Sequence, residues 1–449
     1  MTERLVVVGG DAAGMTAAAT ARRRRAAERL EIVALERGEY TSYSACGIPF
    51  LVAGVVEDPD ALIARSPEEH RRRGIDVRTG HEAVAVDLER GAVRVRRRAD
   101  GVETWEGFDR LVLGTGSTPR RPSLPGVDAD GIYGVQTLGE GLVLRDALAR
   151  RPQHAVLVGG GYVGLELGDA LRHRGLEVTL VEASEQPMST LDPEMGALVA
   201  DALRAVGITV HVGEEVEGFD VEDGAVRAVR TSARTLPADV VILGLGVTPN
   251  VALAADAGLT VGTTGGIAVD DHARTSADGV FAAGDCAETF HRVSRRPVVV
   301  ALGTHANKQG LVAGINATGG DAAFPGVVGT AAVKVCRYEV ARTGLNEREA
   351  AEAGLDADAV SIEATSRAAY MPGAAPMRVR VVAERGSGRL LGAQIVGEEG
   401  AAKRIDALAT AIWNEMTVEE VAWLDLSYAP PFGPVWDPTL VAARAARRR

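Results

Sequence analysis

Leu5-Val-Val-Val-Gly-Gly-Asp-Ala-Ala-Gly14, then an Ala-rich stretch, then Leu30-Glu-Ile-Val-Ala-Leu-Glu36 reads as strand, glycine turn, helix and a second strand closed by an acid. The pattern returns at Ala155-Val-Leu-Val-Gly-Gly-Gly-Tyr-Val-Gly164, followed by a helix and by Val178-Thr-Leu-Val-Glu182. In such a βαβ unit the glycines allow a tight turn and bring backbone N–H groups close to a diphosphate. The helix N-terminus favours the diphosphate charge, and the terminal acid accepts from a ribose hydroxyl. One such turn is weak evidence. Two copies, each closed by an acid, predict two dinucleotide-binding modules in a parallel α/β chain. Gly159, Gly161 and Gly164 complete the G-x-G-x-x-G fingerprint in the second copy. In the first, Gly9 and Gly14 flank Asp11, which replaces the middle glycine and must turn its carboxylate away from a diphosphate.

Working outward, Leu111-Val-Leu-Gly-Thr-Gly-Ser-Thr-Pro119 and Val240-Val-Ile-Leu-Gly-Leu-Gly-Val-Thr-Pro-Asn250 each run a strand into a glycine turn. Thr275-Ser-Ala-Asp-Gly-Val-Phe-Ala-Ala-Gly-Asp285 ends a strand on an acid placed to hold a polyol hydroxyl, as in a ribityl chain. The order implies that the second module is inserted in the first. We expect one domain over residues 1–119 and 244–325, a second over 120–243, and a third, α+β in texture, over 326–449. Ala331–Val335 reads as a strand there, and Glu347–Ala353 and Ala401–Met416 as helices.

The composition is that of a globular chain: 46% hydrophobic and 24% charged residues over 449 positions. A formal net charge of −12 argues against a general nucleic-acid binder. The basic runs Arg22–Arg25, Arg71–Arg73, Arg96–Arg98 and Arg447–Arg449 read mostly as solvated faces. The first strand begins almost at the N-terminus, so no signal peptide is expected, and no apolar run suggests a membrane span. Three cysteines exclude a disulfide scaffold and point to a cytoplasmic location.

Tyr40-Thr-Ser-Tyr-Ser-Ala-Cys-Gly-Ile-Pro-Phe50 carries the chemistry. Cys46 has no second cysteine nearby, the others being Cys286 and Cys336, so its disulfide partner comes from a substrate, or its sulfur is oxidised. Cys46 is expected to open a helix whose N–H groups lower its pKa. Cys286, beside Asp285, and Cys336, within an expected strand, read as inert.

Ser42-x-x-x-Cys46-Gly47-x-Pro49-Phe50 resembles the active-site motif of the single-cysteine branch of the FAD-dependent pyridine-nucleotide–disulfide oxidoreductases. The landmarks fall in that family's order along the whole chain. The resemblance implies two Rossmann-like domains, for FAD and NAD, plus a C-terminal dimerisation domain. It implies FAD contacts from Gly9, Ala12, Gly14, Glu36, Arg37, Thr115, Gly116, Gly284 and Asp285. It implies nicotinamide contacts from Gly159, Gly161, Tyr162, Val163, Gly164, Glu166 and Glu182, with Tyr162 as a lid over the flavin. Glu182, with no Arg or Lys in Ala183-Ser-Glu-Gln-Pro187, favours NADH over NADPH.

Leu426-Ser-Tyr-Ala-Pro-Pro-Phe-Gly-Pro-Val-Trp-Asp437 resembles the segment with which one subunit of these homodimers completes its partner's site. Tyr428, and with it Tyr370, would flank the bound disulfide there, alongside Ser42 and Cys46. Oxidases and peroxidases of the branch carry a histidine in the first glycine turn where this chain has Ala12. Absence of that histidine favours a low-molecular-weight disulfide such as coenzyme A disulfide, reduced through a mixed disulfide on Cys46. Arg22, Arg23, Arg71 and Arg73 are the candidates for its phosphates. The rhodanese domain of persulfide-reducing relatives is not expected after the Pro-Pro segment. The alternatives are an NADH oxidase or peroxidase acting through a Cys46 sulfenic acid, and an NADH-dependent reductase of a protein acceptor.

Overall fold

Leu5, Val6 and Val7 are wholly buried because both faces of their strand are covered. The computed structural model describes residues 2–447; of the basic run at the C-terminus, Arg448 and Arg449 lie outside them. Glu3–Val8 is the middle of a five-stranded parallel sheet in the order Val280–Ala282, Arg110–Leu113, Glu3–Val8, Leu30–Glu36, Asp76–Thr79. Alternate side chains serve different cores, as the two-residue period of a strand requires. Leu5 and Val7 pack under the helices Ala12–Arg24 and Gly303–Asn316. Val6 and Val8 pack against the antiparallel ribbon His81–Asp87, Ala92–Arg97, Glu103–Gly107. Each such buried aliphatic side chain contributes roughly 1.5–3 kcal/mol.

The second module repeats the first. Its parallel sheet runs Thr209–Val212, Glu177–Glu182, His154–Val158, Val240–Leu243, Ile132–Tyr133. Leu157 faces the helix side, while Val156 and Val158 face a second antiparallel ribbon that includes Phe219 and Val229. Between the modules the chain crosses as a pair of short strands, Ser117–Pro119 antiparallel to Val247–Pro249. Val280–Ala282 then returns to the first sheet beside Arg110–Leu113.

The last part is an antiparallel five-stranded sheet, order Ala331–Val335, Tyr338–Gly344, Leu390–Gly397, Pro376–Glu384, Ala357–Thr365, with helices on it. Val379, Val381 and Ile395 meet Leu408 and Ile412 of the helix Ile405–Trp413. That helix is shorter than the stretch expected from sequence, because Ala402–Arg404 forms a 3-10 turn before it. Cys336 is not within a strand. It occupies the turn between Ala331–Val335 and Tyr338–Gly344 with φ +52°.

Buried charge joins this part to the second module. Asp192, at the N-terminus of Pro193–Ala205, accepts from Arg380 Nε at 2.8 Å, Gln394 Nε2 at 2.7 Å and the Glu347 backbone N–H at 3.0 Å. Arg380 also pairs with Glu194 at 2.7 Å and with Glu347. Arg342, held by Glu349 at 2.6 Å, donates to Thr190 O at 2.6 Å.

Candidate active site

Parallel strands splay at their C-terminal ends, and there the first module opens a cleft of about 1380 Å³. The glycine turn forms one edge. Gly9 has φ +113°, and a Cβ on it would stand 2.0 Å from Gly114 O; one on Gly14 would stand 2.0 Å from Gly9 O. The helix therefore starts in contact with the sheet, its first N–H groups facing the cleft. Glu36 secures the turn, accepting from Gly10 N–H and Gly38 N–H, each at 2.7 Å. The second module repeats the device: Glu182 accepts from Gly160 N–H at 2.7 Å and Ser184 N–H at 2.8 Å. There Gly159 (φ +94°) and Gly164 are also tight, though less so, a Cβ on either meeting backbone oxygen at 2.8 Å.

Ala12, Glu36 and Arg37, Thr115 and Gly116, and Gly284 and Asp285 all line the cleft. Thr115 Oγ1 donates to Asn250 O at 2.7 Å, and Asn250 Nδ2 returns a bond to Thr115 O at 2.9 Å. Ser117 Oγ donates to Asp285 Oδ2 at 3.0 Å, and burial raises the Asp285 pKa. A cleft of this volume, with glycine N–H groups at one point and separate polar groups elsewhere in its lining, fits a dinucleotide better than a compact ligand. Asp11 turns aside, as the turn requires: its Oδ1 accepts from Tyr43 N–H at 3.3 Å. Burial first, with Glu36 and Asp285 adding, pushes its pKa up to about 7.

The loop that carries Cys46 hangs from this turn. Ser42 N–H donates to Gly10 O at 3.0 Å, Ala64 N–H donates to Ser42 O at 2.8 Å, and Ser44 N–H donates to Leu62 O at 2.8 Å. Cys46 sits in the 3-10 turn Ala45–Gly47, before the six-residue helix Ile48–Ala53, and is exposed to the cleft. The expected lowering of its pKa is reversed. A short helix that begins two residues later offers little, while the cleft walls strip water from the thiol and the Glu166 carboxylate opposes its charge. Glu166 lines the same cleft from the helix Tyr162–His173, and burial pushes its pKa up to about 7. Cys286 is fully buried, and the Cys336 thiol donates to Asp169 Oδ1 at 2.8 Å. Neither lines the cleft.

Other expected residues fall differently. Val163 lines the cleft, but Tyr162 does not. Its hydroxyl is buried beside Thr190 and Arg342, turned toward the third sheet rather than laid over the cleft. Arg22 gives its guanidinium to three carbonyls, Gly74 O, Arg25 O and Leu30 O at 2.7–3.1 Å. Arg71 is likewise taken, by Val77 O and by Glu68 at 3.0 Å. Both are structural here, because their donors close backbone turns. Arg73 is exposed outside the cleft lining. Arg23 does line the cleft, and so do Arg65 and His70, which the sequence reading passed over. The capping box Ser66–Glu69 was legible and would have put His70 at the end of a first helical turn. Tyr370 and Tyr428, 58 residues apart in sequence, lie side by side and largely exposed, with Ala368 N–H donating to Pro430 O at 3.1 Å. Among the described residues no helix is long and apolar enough to cross a membrane, and no cluster of side chains suits a metal ion.

Residues 3–310 match the family described as pyridine nucleotide-disulphide oxidoreductase, and 330–438 match its dimerisation domain. An NAD(P)H coenzyme A polysulfide/persulfide reductase of Pyrococcus horikoshii is 36% identical over 450 residues, covering 100% of this chain and 99% of the relative. A coenzyme A disulfide reductase of Staphylococcus aureus is 30% identical over 432 residues, 96% of each. The solved NAD-dependent persulfide reductase from A. fulgidus superposes with a TM-score of 0.96 at 39% identity, over 99% of this chain and 83% of that one.

Proposed function

Since the chain belongs to the pyridine nucleotide-disulphide oxidoreductase family, we propose that it reduces a low-molecular-weight disulfide, of the coenzyme A type, with NADH as electron donor. The observation that carries this is Cys46: the one cysteine lining the cleft, with no second thiol beside it. The protein is an FAD- and NAD(P)H-dependent oxidoreductase with a dimerisation domain. FAD, when bound, relays two electrons from the reduced nicotinamide to sulfur. Gly9, Ala12, Gly14, Glu36, Arg37, Thr115, Gly116, Gly284 and Asp285 would hold it. Gly159, Gly161, Gly164 and Glu182 would hold the nicotinamide dinucleotide.

In the cycle we propose, Cys46 rests as a mixed disulfide with a small thiol. Two electrons from one NADH break that bond, the outgoing thiolate takes a proton, and Cys46 is left as thiolate. Cys46 then attacks an incoming disulfide, forming a new mixed disulfide and expelling a second thiol. One NADH, one proton and one disulfide thus give NAD⁺ and two thiols. Glu166, its pKa pushed up to about 7 by burial, can hold and release a proton near neutral pH in the cleft that Cys46 lines. Arg23 and Arg65 supply positive charge for the phosphates of the thiol, in place of Arg22 and Arg71.

Tyr428, with Tyr370 beside it, supports a homodimer in which each subunit lends these phenols to its partner's Cys46. Their exposure is that of residues awaiting a second surface: 48% and 74%. The domain limits 1–119 with 244–325, 120–243 and 326–449 remain our assignment, as does a cytoplasmic setting. Steady-state NADH consumption with coenzyme A disulfide, lost in Cys46→Ser, tests the whole reading. Rapid NADH consumption in air with no disulfide turnover would place it with the oxidases instead.

A further inference from the structure

Ser42 is one of the few non-glycine residues in the left-handed region, with φ +49°. That conformation costs roughly 1–2 kcal/mol for an L-residue, and it is kept where surrounding bonds over-determine it. The backbone bonds to Gly10 and Ala64 fix Ser42 from two sides. The third tie is to its side chain: Ser42 Oγ lies 2.9 Å from His70 Nε2. His70 is 1% exposed, on the helix Pro67–Arg72, and its Nδ1 is buried with no partner among the described residues.

The tautomer follows from that orphan. Burial, with Arg65 and Arg73 adding to it against Glu69, pushes the His70 pKa down to about 4, so the ring is neutral and carries one N–H. A proton on Nδ1 would bury an unmet donor, whereas a bare Nδ1 lone pair buries only an unmet acceptor, the more tolerable of the two. Nε2 therefore carries the proton and donates to Ser42 Oγ. The serine's own proton then cannot go to His70 and is left for the cleft, which both residues line.

The position of this donor says what it meets. Ala12, Thr16, Ala19 and Arg23 line the cleft from one face of the first helix, spanning roughly 16 Å along its axis. The loop that carries Cys46 is tied to the Asp11 end, through Ser42 N–H on Gly10 O and Tyr43 N–H on Asp11 Oδ1, and Arg23 is at the other. Ser42, four residues before Cys46, belongs to the sulfur end. A thiol bonded to Cys46 and reaching for the arginines would present there the chain nearest its sulfur, which in coenzyme A carries an amide.

We propose that His70 is a positioning residue: it fixes the Ser42 hydroxyl as a donor to the amide carbonyl of an amide-bearing thiol on Cys46, and so selects such disulfides. This rests on the disulfide reading above. The test compares coenzyme A disulfide, pantethine, which keeps the amides without the phosphates, and cystamine, which has neither. Ser42→Ala and His70→Phe are each expected to narrow the kcat/KM preference for pantethine over cystamine roughly tenfold, the scale of one hydrogen bond. The double variant should be no worse than Ser42→Ala, and His70→Gln, which keeps a donor at similar reach, should retain the preference. A preference unchanged in Ser42→Ala, or additive losses in the double variant, overturns the inference. If His70→Phe does not fold, His70→Leu, which also removes the donor, takes its place. No turnover of any of the three disulfides by the wild-type holoenzyme would remove the reading itself, and the inference with it.

Discussion

Glu166 and Cys46 share one cleft, and after burial the Glu166 carboxylate is the largest influence holding the thiol above its ordinary pKa. Each opposes the other's negative charge, so removing the carboxylate should free the thiolate. In Glu166→Gln the alkylation rate of Cys46 by iodoacetamide, followed against pH, should rise at a lower pH than in wild type. An unchanged profile would mean that the two groups do not sense one another. If Glu166 also serves as the proton store, kcat with disulfide should fall in the same variant, even though its thiol is more reactive.

Asp11 occupies the place of a diphosphate-binding glycine, with a pKa of about 7. Below that pH it is neutral, and above it a negative charge, turned toward Tyr43 N–H, still stands beside the diphosphate-binding turn. Binding of a diphosphate opposes ionisation further, so a proton is taken up on binding. FAD affinity of the apoprotein should therefore weaken as pH rises from 6 to 8, and this dependence should flatten in Asp11→Asn. The asparagine keeps an acceptor for Tyr43 N–H, so the redox loop stays tied to the turn. Equal pH dependence in both proteins would acquit the carboxylate.

Glu182 spends its carboxylate on Gly160 and Ser184 N–H groups, the way Glu36 spends its own on Gly10 and Gly38. Glu182→Ala should therefore loosen the turn as well as the ribose contact. The expected result is a kcat/KM for NADH lowered tenfold or more, with that for NADPH lowered less. A variant that gains no ground for NADPH relative to NADH would contradict the reading of Glu182 as the discriminating acid.

Both glycine turns and their acids could be read from sequence because each rests on a local pattern: strand, turn, helix, acid. What escaped rests on long-range placement. Nothing in Arg22-Arg23-Arg24-Arg25 tells that Arg22 closes the turns at Gly74 and Leu30 while Arg23 faces the cleft. The raised pKa of Cys46 is not legible in sequence, because its own helix is local and visible, whereas the burial of the thiol and the Glu166 carboxylate come from distant parts of the chain. Tyr162 follows a legible turn, but its resting place beside Thr190 and Arg342 depends on the packing of a sheet nearly two hundred residues on in sequence.

That packing centres on Arg380, whose guanidinium serves Asp192, Glu194 and Glu347 together. Asp192 is only 2% exposed, so Arg380→Met leaves a buried carboxylate short of its cation. Breaking one side of such a pair costs about 3–5 kcal/mol. The denaturation midpoint should fall accordingly at an unchanged slope, and the double variant Arg380→Met/Asp192→Asn should recover part of the loss. Independent, additive losses would show that the pair is not coupled.

Mixing two impaired variants decides whose Cys46 each Tyr428 serves. Tyr428 is exposed in its own subunit, beside Tyr370, in a segment matched by the dimerisation domain. If it completes the partner's site, a Cys46→Ser subunit still lends a sound Tyr428, and a Tyr428→Phe subunit still holds a sound Cys46. Neither homodimer has a complete site. In a mixed dimer one site has both groups: the Cys46 of the Tyr428→Phe subunit, served by its neighbour's phenol. Random reassortment of equal amounts makes half the dimers mixed, each with one intact site of two, so disulfide turnover should return to roughly a quarter of the wild-type value. Were Tyr428 to serve the Cys46 of its own chain, every site in the mixture would lack one group or the other, and mixing would restore nothing beyond the residual activity of the Tyr428→Phe subunits. The contrast between the two outcomes is greatest when Tyr428→Phe lowers the rate strongly, and shrinks as that variant's residual activity rises. It separates a shared site from a self-contained one without a structure of the dimer.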